Sequence, residues 1–300
     1  MKLVEQFNHD INLSDQTRYK RWTQYRNDIN TFLESFLTYR KDHLKNLLVI
    51  GAGHCDDIDL HFLKNHFDKV VLSDIDIKGM QSGILAQGFK MYDFSIVQTD
   101  FTGFEESGFF DHLIDDLFLI KSEQEISDYL TSKFTSMIDY KFMDPVDTKY
   151  DAIIVLPIYT QLIYNQILNA TSVLRAMDYP EDLIQFINDF SLQQMIPIID
   201  NFNKNINRLL NPNGLLFILS DIFQSRINEP FHTRVTQGIH SRNIMDQLHQ
   251  EYLTNHGYGL GDYGLYSITS TFNLIDYKWL IWPFELELDL VIKIAYLTHK

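Results

Sequence analysis

Cysteine is nearly missing: Cys55 is the only one in 300 residues. That excludes an internal disulfide and a zinc site built on cysteines, and it suits a reducing compartment. A cytoplasmic protein is therefore expected. Long apolar runs are missing too. No stretch approaches the roughly 20 residues of a membrane span, so no membrane partner is expected. The opening residues, MKLVEQFNHDINLSDQ, lack the apolar core of a secretion signal. Basic charge is scarce. Lys and Arg number 25 against 40 Asp and Glu, for a formal charge of −15. This balance opposes a phosphate backbone, whose counterions Lys and Arg must displace, so nucleic acid is not expected as a partner. The densest basic stretch, Arg18-Tyr19-Lys20-Arg21, is short and has Asp15 and Asp28 around it. Repeats and low-complexity tracts are absent, and only 7 prolines punctuate the chain.

Apolar residues are plentiful. They make up 45% of the chain, with 22 Phe and 16 Tyr, enough for a sizeable core. Over 15–45, Trp22, Tyr25, Ile29, Phe32, Leu33 and Phe36 recur at spacings of three and four, which predicts a helix with one apolar stripe. The pattern then switches to short apolar runs typical of buried parallel strands. These are LLVI (47–50), KVVLSDID (69–76), FSIVQTD (94–100), YDAIIVLP (150–157) and NGLLFILSDI (213–222). Helical patterns lie between most of them, including 56–67, 182–210 and 243–253. Asp56 or Asp57 is placed to cap the first of these helices. Strand and helix in alternation predict a mostly parallel sheet covered on both faces.

The end of the chain differs. Residues 269–300 hold two long strand-like runs with little helix between. In FELELDLVIKI, Phe284, Leu286, Leu288, Leu290 and Ile292 alternate with Glu285, Glu287 and Asp289, which predicts one buried and one wet face. A closing antiparallel pair is expected. The links at 101–149 and 163–210 are longer than a plain crossover needs. Both leave the carboxyl edge of the sheet, where ligands bind in such folds, so they are expected to wall a substrate site.

The first strand run ends in Gly51-Ala52-Gly53. Glycine there lets the backbone turn sharply and lets a ligand approach without Cβ in the way. Asp74 ends the second strand 23 residues after Gly51, about the separation at which a carboxylate meets a ribose hydroxyl. A dinucleotide loop would need glycine at position 56, which is Asp56, with Asp57 beside it. Two carboxylates there would repel a pyrophosphate, so the loop suits a nucleoside without phosphates. His54, Asp56, Asp57, Asp59 and His61 could be metal ligands, and Asp57 and His61 share a helix face. No distant ligand set accompanies them, so a capped polar helix start is expected and no metal.

At these residues the chain resembles the class I S-adenosylmethionine-dependent methyltransferases. The segments that carry the resemblance are VIGAGHC, VVLSDID, IVQTDF, YDAIIVLPIYTQL and LLNPNGLLFILSD, in family order, over roughly 45–225. The resemblance implies an α/β fold: a seven-stranded, mostly parallel Rossmann-like sheet with helices on both faces and an antiparallel C-terminal pair. Residues 1–45 would be an N-terminal helical extension and 46–300 the cofactor-binding domain. The cofactor would be S-adenosyl-L-methionine. Gly51, Ala52 and Gly53 would face its methionine part, and Asp74, followed by Ile75, its ribose. Asp100 would accept from the adenine amino group, with Phe101 beside the ring. Leu156 and Pro157 would border the methyl. The family's acidic residue two before the first glycine is here Val49, and its third loop glycine falls at Cys55.

Methyl transfer to a small molecule or peptide is the expected activity. Two alternatives stay open: aminopropyl-type transfer on the same fold, and a non-catalytic binding protein with a degenerate cofactor site. Tyr159, just after the fourth strand, and His232, after the fifth, are the candidate catalytic residues. A histidine there could take a proton from an amine or hydroxyl near neutral pH. Trp22 and Tyr25 could cap the cofactor or simply pack.

Overall fold

The computed structural model describes residues 6, 15, 17–38, 44–144 and 148–300. Part of the helix expected over 15–45 lies outside the described residues. Within them it forms α1 (Arg18–Arg21) and α2 (Thr23–Leu37), which meet at Trp22.

The strands are β1 (Asn46–Ile50), β2 (Lys69–Asp74), β3 (Ser95–Gln98), β4 (Tyr150–Val155), β5 (Leu210–Arg226), β6 (Phe272–Trp282) and β7 (Leu288–His299). They make a seven-stranded sheet in the order β3-β2-β1-β4-β5-β7-β6. The pairs β1–β2, β1–β4, β2–β3 and β4–β5 are parallel, and β5–β7 and β6–β7 are antiparallel. This is the α/β, mostly parallel sheet with an antiparallel closing pair that the sequence implies.

Why the strand runs read as continuously apolar is visible in their packing. Leu48 and Ile50 of β1 enter one core cluster, while Leu47 and Val49 enter another. In β4, Ile153 and Val155 divide from Ala152 and Ile154 in the same way. Both sheet faces are covered, so a period of two leaves no polar side. One face carries α2, α3 (Leu60–His66) and α4 (Ile77–Ala86). The other carries α5 (Phe109–Leu119), α6 (Glu123–Thr135), α7 (Tyr164–Ala176) and α8 (Glu181–Leu209). Between β5 and β6 lie α9 (Pro230–Gly238), α10 (Arg242–His256) and α11 (Leu260–Ile268). Among the described residues, no helix is long and apolar enough to cross a membrane.

Two local expectations are corrected. The helix read over 56–67 begins only at Leu60, and its cap is Asp59, whose carboxylate accepts from the Phe62 N–H at 3.0 Å. Asp56 and Asp57 stay in the loop. The alternation read over 284–294 also fails through 286–290, where Leu288 and Leu290 are only half-buried. Residues 284–287 precede β7 and turn at the hairpin tip, leaving Leu286 exposed, while Asp289 is buried and meets His232 Nε2 at 2.8 Å.

Candidate cofactor and acceptor cavity

The loop after β1 is a tight, fully braced turn. The N–H groups of Gly51 and Ala52 donate to the Ser73 carbonyl at 2.9 and 3.2 Å. Gly51, Gly53 and Cys55 have φ of 79°, 46° and 57°. The Gln87 side chain donates to the carbonyls of Cys55 and Ile58 at 2.7 and 3.1 Å and accepts from the Leu60 N–H at 3.0 Å. Arg26 of α2 donates to the Asp56 carbonyl at 2.5 Å. These bonds satisfy backbone groups that a helix would otherwise claim, which is why residues 55–59 stay irregular. Gly83 of α4 supplies the close approach beneath the loop: a Cβ there would lie 1.9 Å from the His54 carbonyl oxygen. Sequence reasoning sought that glycine inside the loop and missed it on α4, beyond β2.

The loop opens onto a cavity of about 370 Å³ at the carboxyl edge of β1–β5. Gly51, Ala52, Gly53, Asp74, Ile75, Asp100, Phe101 and Pro157 all line it, as the sequence expectation grouped them. Leu156 does not. It is buried behind the wall, with its N–H donating to the Ile50 carbonyl at 3.0 Å.

The two strand-end carboxylates are held differently. Asp74 accepts from the N–H groups of Gly53 and Asp76 at 2.9 and 3.0 Å, one on each oxygen. Each oxygen keeps a lone pair for a ligand hydroxyl. Asp76 is turned away to cap α4, accepting from the Gly79 N–H at 2.9 Å. Asp100 accepts from the N–H groups of Thr102, Gly103, Glu105 and Glu106 and from the Thr102 hydroxyl, all within 3.0 Å. Its acceptor sites are filled by its own loop, so its evident work is to fold 100–106 and set Phe101 on the wall.

Tyr159 and His232 are placed where neither can act in this cavity. The Tyr159 ring is fully buried behind Gly264, and its hydroxyl donates to Asn203 Oδ1 at 2.9 Å. Tyr159 does not line the cavity. Burial pushes its pKa well up, so it is no base. His232 lies on α9, paired with Asp289, and is not on the wall either.

The acidic lining is the feature that spacing alone did not disclose. Asp56, Asp57, Asp74, Asp100, Glu105 and Asp221 face the cavity, with Arg18 and His54 among them. Burial drives Asp57 up to about 7 and Asp221 up to about 6, and it raises Asp74. The Asp56 carboxylate, 3.2 Å from His54 Nδ1, holds that imidazole above its ordinary value. Among the described residues, no group of three or more His, Cys, Asp or Glu could hold a metal ion.

Residues far apart in the chain meet at the cavity. Trp22 lines the cavity, and its indole N–H donates to the Pro283 carbonyl at 2.7 Å. Arg21 donates to the carbonyls of Pro283 and Phe284 at 2.9 and 2.7 Å. Tyr25 does not reach the cavity; it stacks on Trp282 at 5.5 Å. The two long links contribute residues near their starts, such as Phe101, Glu105, Phe110, Ile163 and Asn165, while the rest of their helices fill the core.

No family model matches the chain, and no curated protein matches it. Several solved structures are similar to it. One is the N-methyltransferase NodS from Bradyrhizobium japonicum WM9 in complex with S-adenosylhomocysteine: 12% identity over 99% of this chain and 98% of that one, with a TM-score of 0.45. Another is a SAM-dependent methyltransferase from Thiobacillus denitrificans, also in complex with S-adenosylhomocysteine: 10% identity over 100% of each chain, TM-score 0.45. A third is a SAM-dependent methyltransferase from Leishmania major: 10% identity over 98% of this chain and 81% of that one, TM-score 0.43. In its own sheet order and strand-end residues, the chain resembles the class I S-adenosylmethionine-dependent methyltransferases.

Proposed function

We propose that this protein transfers a methyl group from S-adenosylmethionine to a small molecule or peptide. One observation carries the proposal. The cavity that joins the glycine loop to Asp74 has six carboxyl residues in its lining, against Arg18 as its one Lys or Arg. Such a lining repels a pyrophosphate and favours a nucleoside that carries positive charge. The backbone at Gly51–Gly53 would take the amino-acid part. Asp74 would accept from the ribose hydroxyls with its remaining lone pairs. Ile75 and Phe101 would border the base, and Pro157 the reacting end. The cofactor supplies an electrophilic methyl carbon, so the chain's own task is to align a nucleophile and exclude water. That suits a site lined in part by the apolar Trp22, Trp282 and Phe284, and it needs no catalytic dyad.

Calorimetric titration with S-adenosylhomocysteine tests the reading. Saturable binding is expected, and Asp74→Ala should weaken it by about 1.5–3 kcal/mol, as loss of charged hydrogen bonds does. No binding up to about 1 mM would overturn the reading. With an acceptor in hand, the mass of the product separates methyl from aminopropyl transfer.

A further inference from the structure

The inner walls of the cavity are not alike. On the side of β1 and β2 stand the glycine loop and Asp74. On the side of β5 to β7 stand Trp22, Trp282, Phe284 and Asp221. The three rings form one aromatic wall. Trp282 meets Trp22 edge-on at 4.9 Å and Phe284 edge-on at 5.0 Å, and Trp22 and Phe284 lie near-parallel at 6.5 Å. The Arg18 guanidinium already lies 5.6 Å over the Trp22 ring.

Asp221 is fixed beside this wall from below. The Thr160 hydroxyl donates to its Oδ2 at 2.7 Å, and the Ser220 hydroxyl donates to the Gly261 carbonyl at 2.9 Å. Gly261 packs so tightly that a Cβ would lie 2.0 Å from the Asp221 carbonyl oxygen. The other carboxylate oxygen, Oδ1, is buried and has no hydrogen-bond partner. Trp282 is only 4% exposed, and its indole N–H also has no partner. Buried polar atoms are rarely left unpaired in a folded chain, and Asp221, whose carboxylate keeps an unused acceptor, is among the residues that line the cavity.

We infer that this half of the cavity is the acceptor pocket, and that the acceptor is an organic amine. Its ammonium group would pair with Asp221 against the aromatic wall. The inference rests on the methyl-transfer reading for the word acceptor; the cation site itself does not. Three observations select an amine. An ammonium supplies the donors that Asp221 Oδ1 lacks. Indole and phenyl rings attract a cation. A carboxylate or phosphate would meet Asp56, Asp57 and Asp221 on the same walls.

The test is binding, not turnover. Trp22 and Trp282 stand on the wall, so their fluorescence reports on it. The full chain, with and without S-adenosylhomocysteine, would be titrated with tetramethylammonium and phenethylamine. Phenethyl alcohol and 3-phenylpropionate would serve as probes with a similar body and another head. The ammonium compounds should bind at least about tenfold more tightly than the alcohol and the carboxylate. Asp221→Asn should cost the amine about tenfold or more while leaving S-adenosylhomocysteine affinity within about twofold. Equal affinity for all heads, preference for the carboxylate, or no ammonium binding at all would overturn the inference. The head-group comparison decides even where the variant fails to fold. If S-adenosylhomocysteine binds and amines do not, the inference fails and methyl transfer stands. If amines bind and S-adenosylhomocysteine does not, the cation site stands and methyl transfer falls.

Discussion

At Cys55 the backbone has φ 57° while the side chain is fully buried. A left-handed conformation costs a residue with a Cβ roughly 1–2 kcal/mol, and glycine much less. The resemblance places the family's third loop glycine at this position, and the backbone keeps the glycine-like turn although the residue has changed. Burial pushes the thiol well above its ordinary pKa, with the carboxylates of Asp57, Asp74 and Asp56 adding to it. Cys55 should therefore be inert. A disulfide exchange reagent such as dithionitrobenzoate should find no thiol in the native chain and one per chain in denaturant. Prompt reaction of the native protein would show that the loop opens. Asp100 makes the opposite point about reading residues one at a time. Its type and position suggest a ligand contact, yet five donors of its own loop occupy it.

Among the elements, α3 shows what a local cap can and cannot reveal. Three aspartates, Asp56, Asp57 and Asp59, stand where a helix could begin, and sequence rules rank them nearly alike. The structure chooses Asp59, because Gln87 and Arg26 hold the loop carbonyls from outside. Asp59 also accepts from Asn30 of α2 at 3.0 Å, so one carboxylate ties two helices. Asp59→Ala should lower stability by about 1–2 kcal/mol in denaturant unfolding. A change below about 0.3 kcal/mol would mean that Asp59 is not the working cap. The hairpin tip obeys the same logic. The tip must meet Arg21 and Trp22, so residues 283–287 leave the strand, and the first residues of β7 bury Asp289 rather than Leu288 and Leu290.

For the molecule as a whole, the buried carboxyls set how stability follows pH. Asp57 rises to about 7 and Asp221 to about 6 from an ordinary 3.8, chiefly through burial. Between these values the folded chain holds more protons than the unfolded one, so stability falls as pH rises from about 4 to about 7. His54, also raised, contributes stability that is lost as pH climbs through its folded value. Asp15, lowered to about 2, acts in the opposite sense but only below pH 4. The melting temperature should thus decline from pH 4.5 to 7.5. Asp57→Asn should flatten the decline and raise melting at pH 8 by a few degrees, as about 1–2 kcal/mol does at this size. A melting temperature that rises over that range would contradict the buried charges. A bound cation should offset the repulsion among these carboxylates and so recover part of the loss.

The order of strands and helices, the two-faced burial of the sheet and the grouping of Gly51–Gly53 with Asp74 at one edge of the sheet were determined by the sequence alone. Each rests on a short-range property: a hydrophobic period, a glycine after a strand, or an acid at a strand end. What completes the cavity lining was decided only by tertiary structure. Trp22, a lining residue, is tied to Pro283, 261 positions away. Asp221, within a run that reads only as a strand, becomes part of its wall. Gly83 makes room for a loop that it follows by some thirty residues. Tyr159, near the site in sequence, is drawn into the core by Asn203 and Gly264. The physical reason is the same in every case. Periodicity tells which side of an element is buried, but not which other element will bury it.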